Sequence, residues 1–463
     1  MTAMDRPRIG LLGLMLELYD KSTPSLRPEQ EEFAARLVAT LSQIADITFS
    51  GIVNTRAGVE QAMADMEAAD VDMVTVVHFS YAPSLIALPS LQRCSRPVVL
   101  FNTQRKRGIG ADFTPKDVLQ NHGMHGQQDL ANVLIRAQRR FGVVTGYWED
   151  AETLAELAEW ARAAVVARKM RRTEIGLVGY PFQDMGDFGV DETAFMAQVG
   201  PHVQHIPLDE LAEAMQAAPD DELQEIVTGD QEQFEVTPEL TPEEHMNSAR
   251  AEWGLRQVVR QRNLDALAIH YEVFGADPRF SALPFAAVTK LMTEGIGFGG
   301  EGDIISAACV TAMHHLTGLS AFSEMFCMDF DGGGILMSHF AEGNLRLAAG
   351  KPRMIRREGW VGSGGVSSSI AFSFAPQDVT MVNLTIGMGG QPRLIATTAR
   401  ICDYSLMGGQ TPHCRLEPVC GLKTFLDAYL HCGGSHHVAL VQNDRLSLVE
   451  KFAELMDIEL YII

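Results

Sequence analysis

The sequence predicts an α/β protein: two doubly wound parallel-sheet domains followed by a mainly β C-terminal domain. Three observations carry that prediction. Short apolar runs alternate with helical stretches from residue 8 onward, the alternation resumes near residue 174, and beyond about residue 325 glycine clusters punctuate short strand-like runs. Strands that alternate with helices build parallel sheets covered on both faces. Many short runs broken by glycine suggest a mainly β domain instead. The expected domains are 1–170, 171–325 and 326–463.

Taken in order, residues 8–14 (RIGLLGL) read as a buried strand and 28–45 as a helix with apolar residues at helical spacing. The pattern repeats as strand 47–53, helix 56–69, strand 73–78, helix 83–91 and strand 97–101. The long helical segment 151–170 leads to a second series, with strands at 174–178 and 264–269. The proline- and acid-rich stretch 218–244 reads as surface helix and loop. Later, 304–316 is helical, and 370–374 and 379–386 are strand-like between the glycine-rich segments 332–334, 362–369 and 387–390.

A chain of 463 residues exceeds one ordinary core, so several domains are expected. No apolar run reaches the length a bilayer needs, and no cleavable hydrophobic leader is visible at the start, so a cytoplasmic location with no membrane partner is expected. The net charge of −22 argues against a nucleic-acid partner, since phosphate binding depends on clustered cations. Seven cysteines without CxxC spacing exclude a disulfide framework or zinc knuckle as the organising device. Gly108-Ile109-Gly110 does not belong to a GxGxxG after a strand, and no dinucleotide site is expected.

The chemistry concentrates in one half of the chain. Glu301 follows the glycine-rich GIGFGG, Glu324 stands in AFSEMF, His339 sits in the apolar run 334–340, and His436-His437 close the segment GGSHH at 433–437. A carboxylate amid Phe322, Met325 and Phe326 is costly to bury unless it meets a cation or is protonated. Each residue also has a plain reading: Glu301 as a first-turn helix acid, Glu324 as an exposed edge residue, His339 as a satisfied core histidine. Adjacent histidines on a strand point to opposite faces, so only one of the pair is expected to face a given site. Together the four positions form an oxygen and nitrogen set without thiolate, suited to Mn²⁺, Mg²⁺ or Co²⁺ more than to structural zinc. Beside such an ion the two carboxylates can also serve as acid and base.

In order and spacing, Leu18-Tyr19, NHGMHG at 121–126, VVTGYW at 143–148, GFGGEGD at 297–303, FSEMF, SHF and GGSHH make the chain resemble the L-arabinose isomerase family over nearly its whole length. The resemblance implies a three-domain subunit in a homo-hexamer with active sites between subunits. It implies Mn²⁺ held by Glu301, Glu324, His339 and His437, with Glu301 and Glu324 moving protons as an aldose becomes a ketose. Tyr19, His122, His125, Met185, Tyr271 and His436 would bind the sugar, His125 arriving from a neighbouring subunit.

Leu16 and His122 stand where the family typically carries glutamine facing the sugar, which implies an altered sugar preference. The basic segment Arg105-Lys106-Arg107 with Lys116 is either a grip for an anionic sugar substituent or a solvated loop balancing an acidic surface. The chain ends at Ile463, where the family's familiar members continue, so Trp360 and residues 362–369 are candidates to cover the site instead. Three other readings stay open: a catalytically silent sugar-binding protein on the same fold, a fucose-isomerase-like enzyme for a modified sugar using a single histidine, and metal-dependent hydrolysis.

Overall fold

The run RIGLLGL forms strand β1 (Arg8–Leu14) at the heart of the first of two compact units, Asp5–Arg168 and Lys169–Ile463, in a computed structural model that describes residues 5–275, 277–358, 365–406 and 409–463. Trp360 and residues 362–364 lie outside the described residues.

In the first unit β2 (Asp46–Thr48), β3 (Ile52–Val53), β4 (Met73–His78), β5 (Val98–Asn102) and β6 (Gly142–Thr145) join β1 in a wholly parallel sheet of order β2-β1-β4-β5-β6, with β3 on the end of β1. β4 is buried at every position, as a strand covered on both faces must be. The chain leaves β1 on one side and returns on the other, which makes the carboxyl ends of β1 and β4 a topological switch point, the usual place for a ligand crevice. The expected strand 47–53 is two short strands, because Gly51 at φ +98° turns the backbone between them. The expected helix 83–91 is likewise two pieces, a turn at Ser84–Ile86 and a helix Leu88–Arg93 with Pro89 near its start. The first crossover helix is Leu26–Leu41, a few residues ahead of the 28–45 window.

The second unit carries β7 (Glu174–Val178), β8 (His202–Ile206), β9 (Glu235–Val236), β10 (Ala266–Ile269) and β11 (Gly297–Gly300). β11-β10-β7-β8 form a second parallel sheet, again wound in both directions. Its carboxyl ends feed the loops that bear Met185 and Asp187, Tyr271, and Glu301.

The remaining strands are β12 (Ala321–Asp329), β13 (Gly334–Ser338), β14 (Arg353–Glu358), β15 (Val366–Ala371), β16 (Gln377–Ile386), β17 (Pro392–Ile401), β18 (His413–Pro418), β19 (His437–Gln442) and β20 (Glu459–Ile462). The path β16-β19-β12-β13-β18-β17 is antiparallel throughout and β17 pairs back to β16, so six strands close into a barrel with β20 added parallel to β17. Closure leaves those six strands without a free edge. β9, β14 and β15 make a separate three-stranded sheet.

Helix Ile304–Thr317 packs against both β11 and the barrel strands β16 and β19. It is buried on nearly every side, which its almost wholly apolar sequence requires. Among the described residues no helix is long and apolar enough to cross a membrane.

Candidate metal centre

Glu301 sits in the turn between β11 and helix Ile304–Thr317, and its neighbours explain the glycines around it. A Cβ at Gly300 would lie 2.5 Å from Cε1 of His339, and one at Gly302, φ +78°, would lie 2.4 Å from the Tyr180 carbonyl oxygen. Glu301 itself has φ +56°, a conformation that costs an L-residue on the order of 1–3 kcal/mol and persists only where the surroundings hold it. Asp303 caps the helix: its Oδ1 accepts from the Ile305 and Ser306 amides at 2.9 Å, and its Oδ2 lies 3.0 Å from Nδ1 of His437. The plain reading of Glu301 as a helix-capping acid therefore belongs to Asp303.

Barrel register supplies the other donors. Glu324 on β12 stands opposite Ser338 of β13 and opposite His437 of β19, and His339 follows Ser338 directly. A bulge between Met325 and Cys327 disrupts the pairing just beyond Glu324, a device that re-aims side chains beside sites. His339 donates through Nδ1 to Glu342 Oε2 at 2.6 Å, and the same oxygen accepts the Ala341 amide at 2.8 Å.

The ring atoms opposite these bonds are the informative ones. Nε2 of His339 and Nε2 of His437 are both buried and have no hydrogen-bond partner. They face carboxylates: His339 Nε2 lies 3.9 Å from Glu324 Oε2, and His437 Nε2 lies 3.8 Å from Glu301 Oε2. Two ligand bonds of about 2.1 Å reach across roughly 4.2 Å at most, so one ion between such a pair fits. Glu324, His339 and His437 offer ligand atoms within 4.8 Å of one another, as do Glu301, His436 and His437. His437 belongs to both groups. Buried carboxylates that lock the far nitrogen, Glu342 and Asp303, are the usual support of metal-binding imidazoles. The donor set fits a divalent cation.

His436 departs from the strand alternation expected of adjacent histidines. It precedes β19 rather than lying in it, so its ring centroid is 4.4 Å from that of His437 and its Nε2 is 3.7 Å from Glu301 Oε2. Both histidines face Glu301. His436 Nδ1 meets Asp187 Oδ2 at 2.8 Å, and Phe188 lies beneath both rings, stacked on His437 at 4.9 Å.

These contacts set the charges. Burial works to raise the Glu301 carboxyl, but His436, His339 and His437 outweigh it and hold it below the ordinary value. Burial prevails at Glu324 and pushes it up. Burial opposes charge on His436, yet Asp187 and Glu301 push it up to about 10. Glu342, although buried, is held near 2 by the His339 imidazole and by the neighbouring Tyr271 phenol.

Met185, half-buried, precedes the turn Gly186–Phe188. Tyr271 packs edge-on against Phe285 at 4.6 Å, with its hydroxyl buried near Glu342. In the first unit, Tyr19, His122 and His125 come together with Tyr81 at the switch point: His122 to His125 is 4.7 Å between centroids, and Tyr19 and Tyr81 lie 6.4 and 6.3 Å from His122. Leu16 starts the short helix of Tyr19. Gly123 and Gly126 of the NHGMHG motif give room for the buried His78, whose ring would touch a Cβ at Gly126. The basic segment is paired: Arg105 with Glu32, Lys106 with Asp117, Arg107 with Asp150 and Lys116 with Glu29. That pairing favours the surface-balancing reading over an anion grip.

Sequence reasoning missed Asp187, Asp303, Glu342 and Tyr81. Glu342, three residues after His339, and Asp303, directly before the expected helix 304–316, carried local signals. Asp187 and Asp303 act on histidines 249 and 134 positions away.

Three family models match the chain: the L-arabinose isomerase N-terminal domain over residues 16–172, its central domain over 183–318 and its C-terminal domain over 319–459. The chain is 27% identical over 412 residues to L-arabinose isomerase 1 of Bacillus licheniformis, covering 87% of this chain and 82% of that one. It is 27% identical over 420 residues to the L-arabinose isomerase of Thermotoga petrophila, with the same coverage. With the L-arabinose isomerase of Aeromonas hydrophila subsp. hydrophila it shares 23% over 459 residues, 92% of this chain and 91% of that one.

Proposed function

The chain belongs to the L-arabinose isomerase family and is an aldose–ketose isomerase, and from that premise we propose that it is a divalent-cation enzyme whose preferred sugar differs from, or extends beyond, L-arabinose. Glu301, Glu324, His339 and His437 would hold the cation, Mn²⁺ first, with Mg²⁺ or Co²⁺ as substitutes. The observation that carries this reading is the pair of buried, unpartnered Nε2 atoms on His339 and His437, each ring locked from behind by a buried carboxylate and each facing a second carboxylate.

When bound, the cation polarises the open-chain carbonyl and acidifies the neighbouring hydroxyl. Glu301 takes the proton from C2 of the aldose and returns it to C1. Glu324 gives a proton to O1 and receives the one leaving O2, so the sugar passes through an enediol and no atom is gained or lost. His436 donates to a sugar oxygen beside Glu301. Met185 forms an apolar wall, and the Tyr271 phenol supports the pocket through Glu342. Tyr19, His122 and His125 lie together, so the neighbouring subunit that would supply His125 would bring all three to read the sugar's hydroxyl pattern, with an apolar Leu16 and an imidazole at His122 as the source of altered preference. The division into domains at 170 and 325, a cytoplasmic homo-hexamer and sites shared between subunits belong to the same proposal.

The test is product analysis with Mn²⁺ across pentoses, hexoses, deoxy- and acidic sugars, with deuterium at C2 to separate isomerisation from hydrolysis. A 2-ketose is expected from at least one sugar. Sugars that bind without giving ketose would replace this reading with that of a silent binding protein. His437→Ala should remove Mn²⁺ binding in a titration. Undiminished binding would favour a single-histidine site of the fucose-isomerase-like kind.

A further inference from the structure

We infer that Asp187 is a positioning residue that aims His436 at the reacting sugar beside Glu301; this rests on the isomerase reading above. Three imidazoles surround the centre, each bonded through Nδ1 to its own carboxylate: His339 to Glu342 at 2.6 Å, His437 to Asp303 at 3.0 Å and His436 to Asp187 at 2.8 Å. The first two pairs are buried, and their Nε2 atoms are sealed from solvent. The third differs: the side chain of His436 is 29% exposed and that of Asp187 is 35% exposed. Of the three, His436 is the imidazole a sugar arriving from solvent can reach.

The distances to Glu301 make the aim matter. His436 Nε2 and His437 Nε2 lie almost equally far from Glu301 Oε2, at 3.7 and 3.8 Å. Proximity alone would not divide labour between them. The division lies in what holds each ring: Asp303 is fixed at a helix cap, whereas Asp187 rides on the loop after β7.

That loop is itself tied to Glu301. The Phe182 amide donates to the Glu301 carbonyl oxygen at 2.9 Å, the Met185 amide donates to the Phe182 carbonyl oxygen at 3.2 Å, and Phe188 packs under both rings. Loop, His436 and Glu301 are thus one braced assembly. Without Asp187 the half-exposed ring is free to turn about its side-chain bonds, and the sugar oxygen beside Glu301 loses a fixed donor.

The test compares Asp187→Ala, Asp187→Asn and wild type in three measurements: Mn²⁺ affinity by titration calorimetry, kcat and KM on the best sugar of the panel, and the ¹⁵N shifts of the His436 ring in the metal-free protein. Asp187→Ala should lower kcat/KM by about 10–100-fold, the usual effect of losing a supporting carboxylate, while Mn²⁺ affinity changes by less than about threefold. Its His436 Nδ1 signal should lose the shift of a carboxylate-bonded N–H and broaden as the ring samples more than one orientation. Asp187→Asn, whose carbonyl oxygen still accepts from Nδ1, should recover most of the activity.

Kinetics for Asp187→Ala within about twofold of wild type, or a loss of Mn²⁺ affinity as large as the loss of kcat/KM, would overturn the inference and leave the isomerase reading standing. A wild type that makes no ketose would remove both.

Discussion

The two units hold their histidine clusters in different ways. In the second, every imidazole at the centre is braced by a carboxylate behind it, which fixes the ring and offers the far nitrogen to a ligand. In the first, His78 is buried with neither ring nitrogen partnered, and His122 and His125 lean on aromatic rings rather than on acids. Braced imidazoles suit a task with one allowed geometry, such as cation binding. Rings that meet edge-on, with no acid behind them, leave the imidazoles freer to turn. The same residue type is thus held rigidly in one unit and loosely in the other, according to what stands behind it.

The sharpest way to break that comparison is at Glu301. Glu301→Gln keeps the shape and removes the proton acceptor, so kcat should fall by at least about 10²-fold while the circular-dichroism spectrum and thermal midpoint stay near wild type. Turnover above that level would take Glu301 out of the chemistry and leave the braced centre a binding site only.

His78 provides the converse test in the first unit. Burial lowers it from an ordinary 6.5 to about 4, with Asp129 opposing only in part. The folded protein therefore takes up fewer protons than the unfolded chain between those two values. The stability contributed by neutral His78 is complete above about pH 6.5 and is lost as the pH falls toward 4, by at most about 3 kcal/mol. Urea unfolding of wild type against His78→Leu at pH 7 and pH 5 measures it. The gap between the two proteins should shift in favour of the variant at pH 5, and an unchanged gap would mean that this ring has a partner after all.

Glu342→Gln weakens one brace without removing a donor to the cation. Mn²⁺ affinity should drop by about 10–100-fold by calorimetry, with kcat at saturating Mn²⁺ falling less than affinity does. Equal loss in both would make Glu342 part of the reaction rather than its support. The smallest expected change is at His122. His122→Gln should alter the ratio of kcat/KM between two sugars of the panel by about 10-fold and leave Mn²⁺ affinity untouched.

Much of this was legible in the chain because it is local. The two parallel series, the change to β structure and the glycines around Glu301 follow from periodicity and steric need, and β4 and β7 stand where apolar runs put them. Local reading erred where a single residue overrides a pattern, as Gly51 does by splitting 47–53 and Pro89 by restarting a helix. It erred again at His436, because alternation holds within a strand and that residue lies one position outside it. The braces were the least legible part. Nothing near His436 or His437 in sequence announces Asp187 or Asp303, since only the packed fold brings those loops together. Barrel closure was likewise invisible, because composition marks strand-like runs such as 379–386 but not which strands pair, and the path through β19, β12, β13 and β18 back to β17 is set by the packed fold.

Helix Ile304–Thr317 lies between the parallel sheet that delivers Glu301 and the barrel that delivers Glu324, His339 and His437. An ion held by donors from both sides acts as a clasp across that helix, and it can bind only while the two layers remain docked. Occupancy then opposes their separation through mass action, so the midpoint of heat unfolding should climb with the logarithm of free Mn²⁺. In a cell, metal supply would govern how long this protein lasts as well as how fast it works.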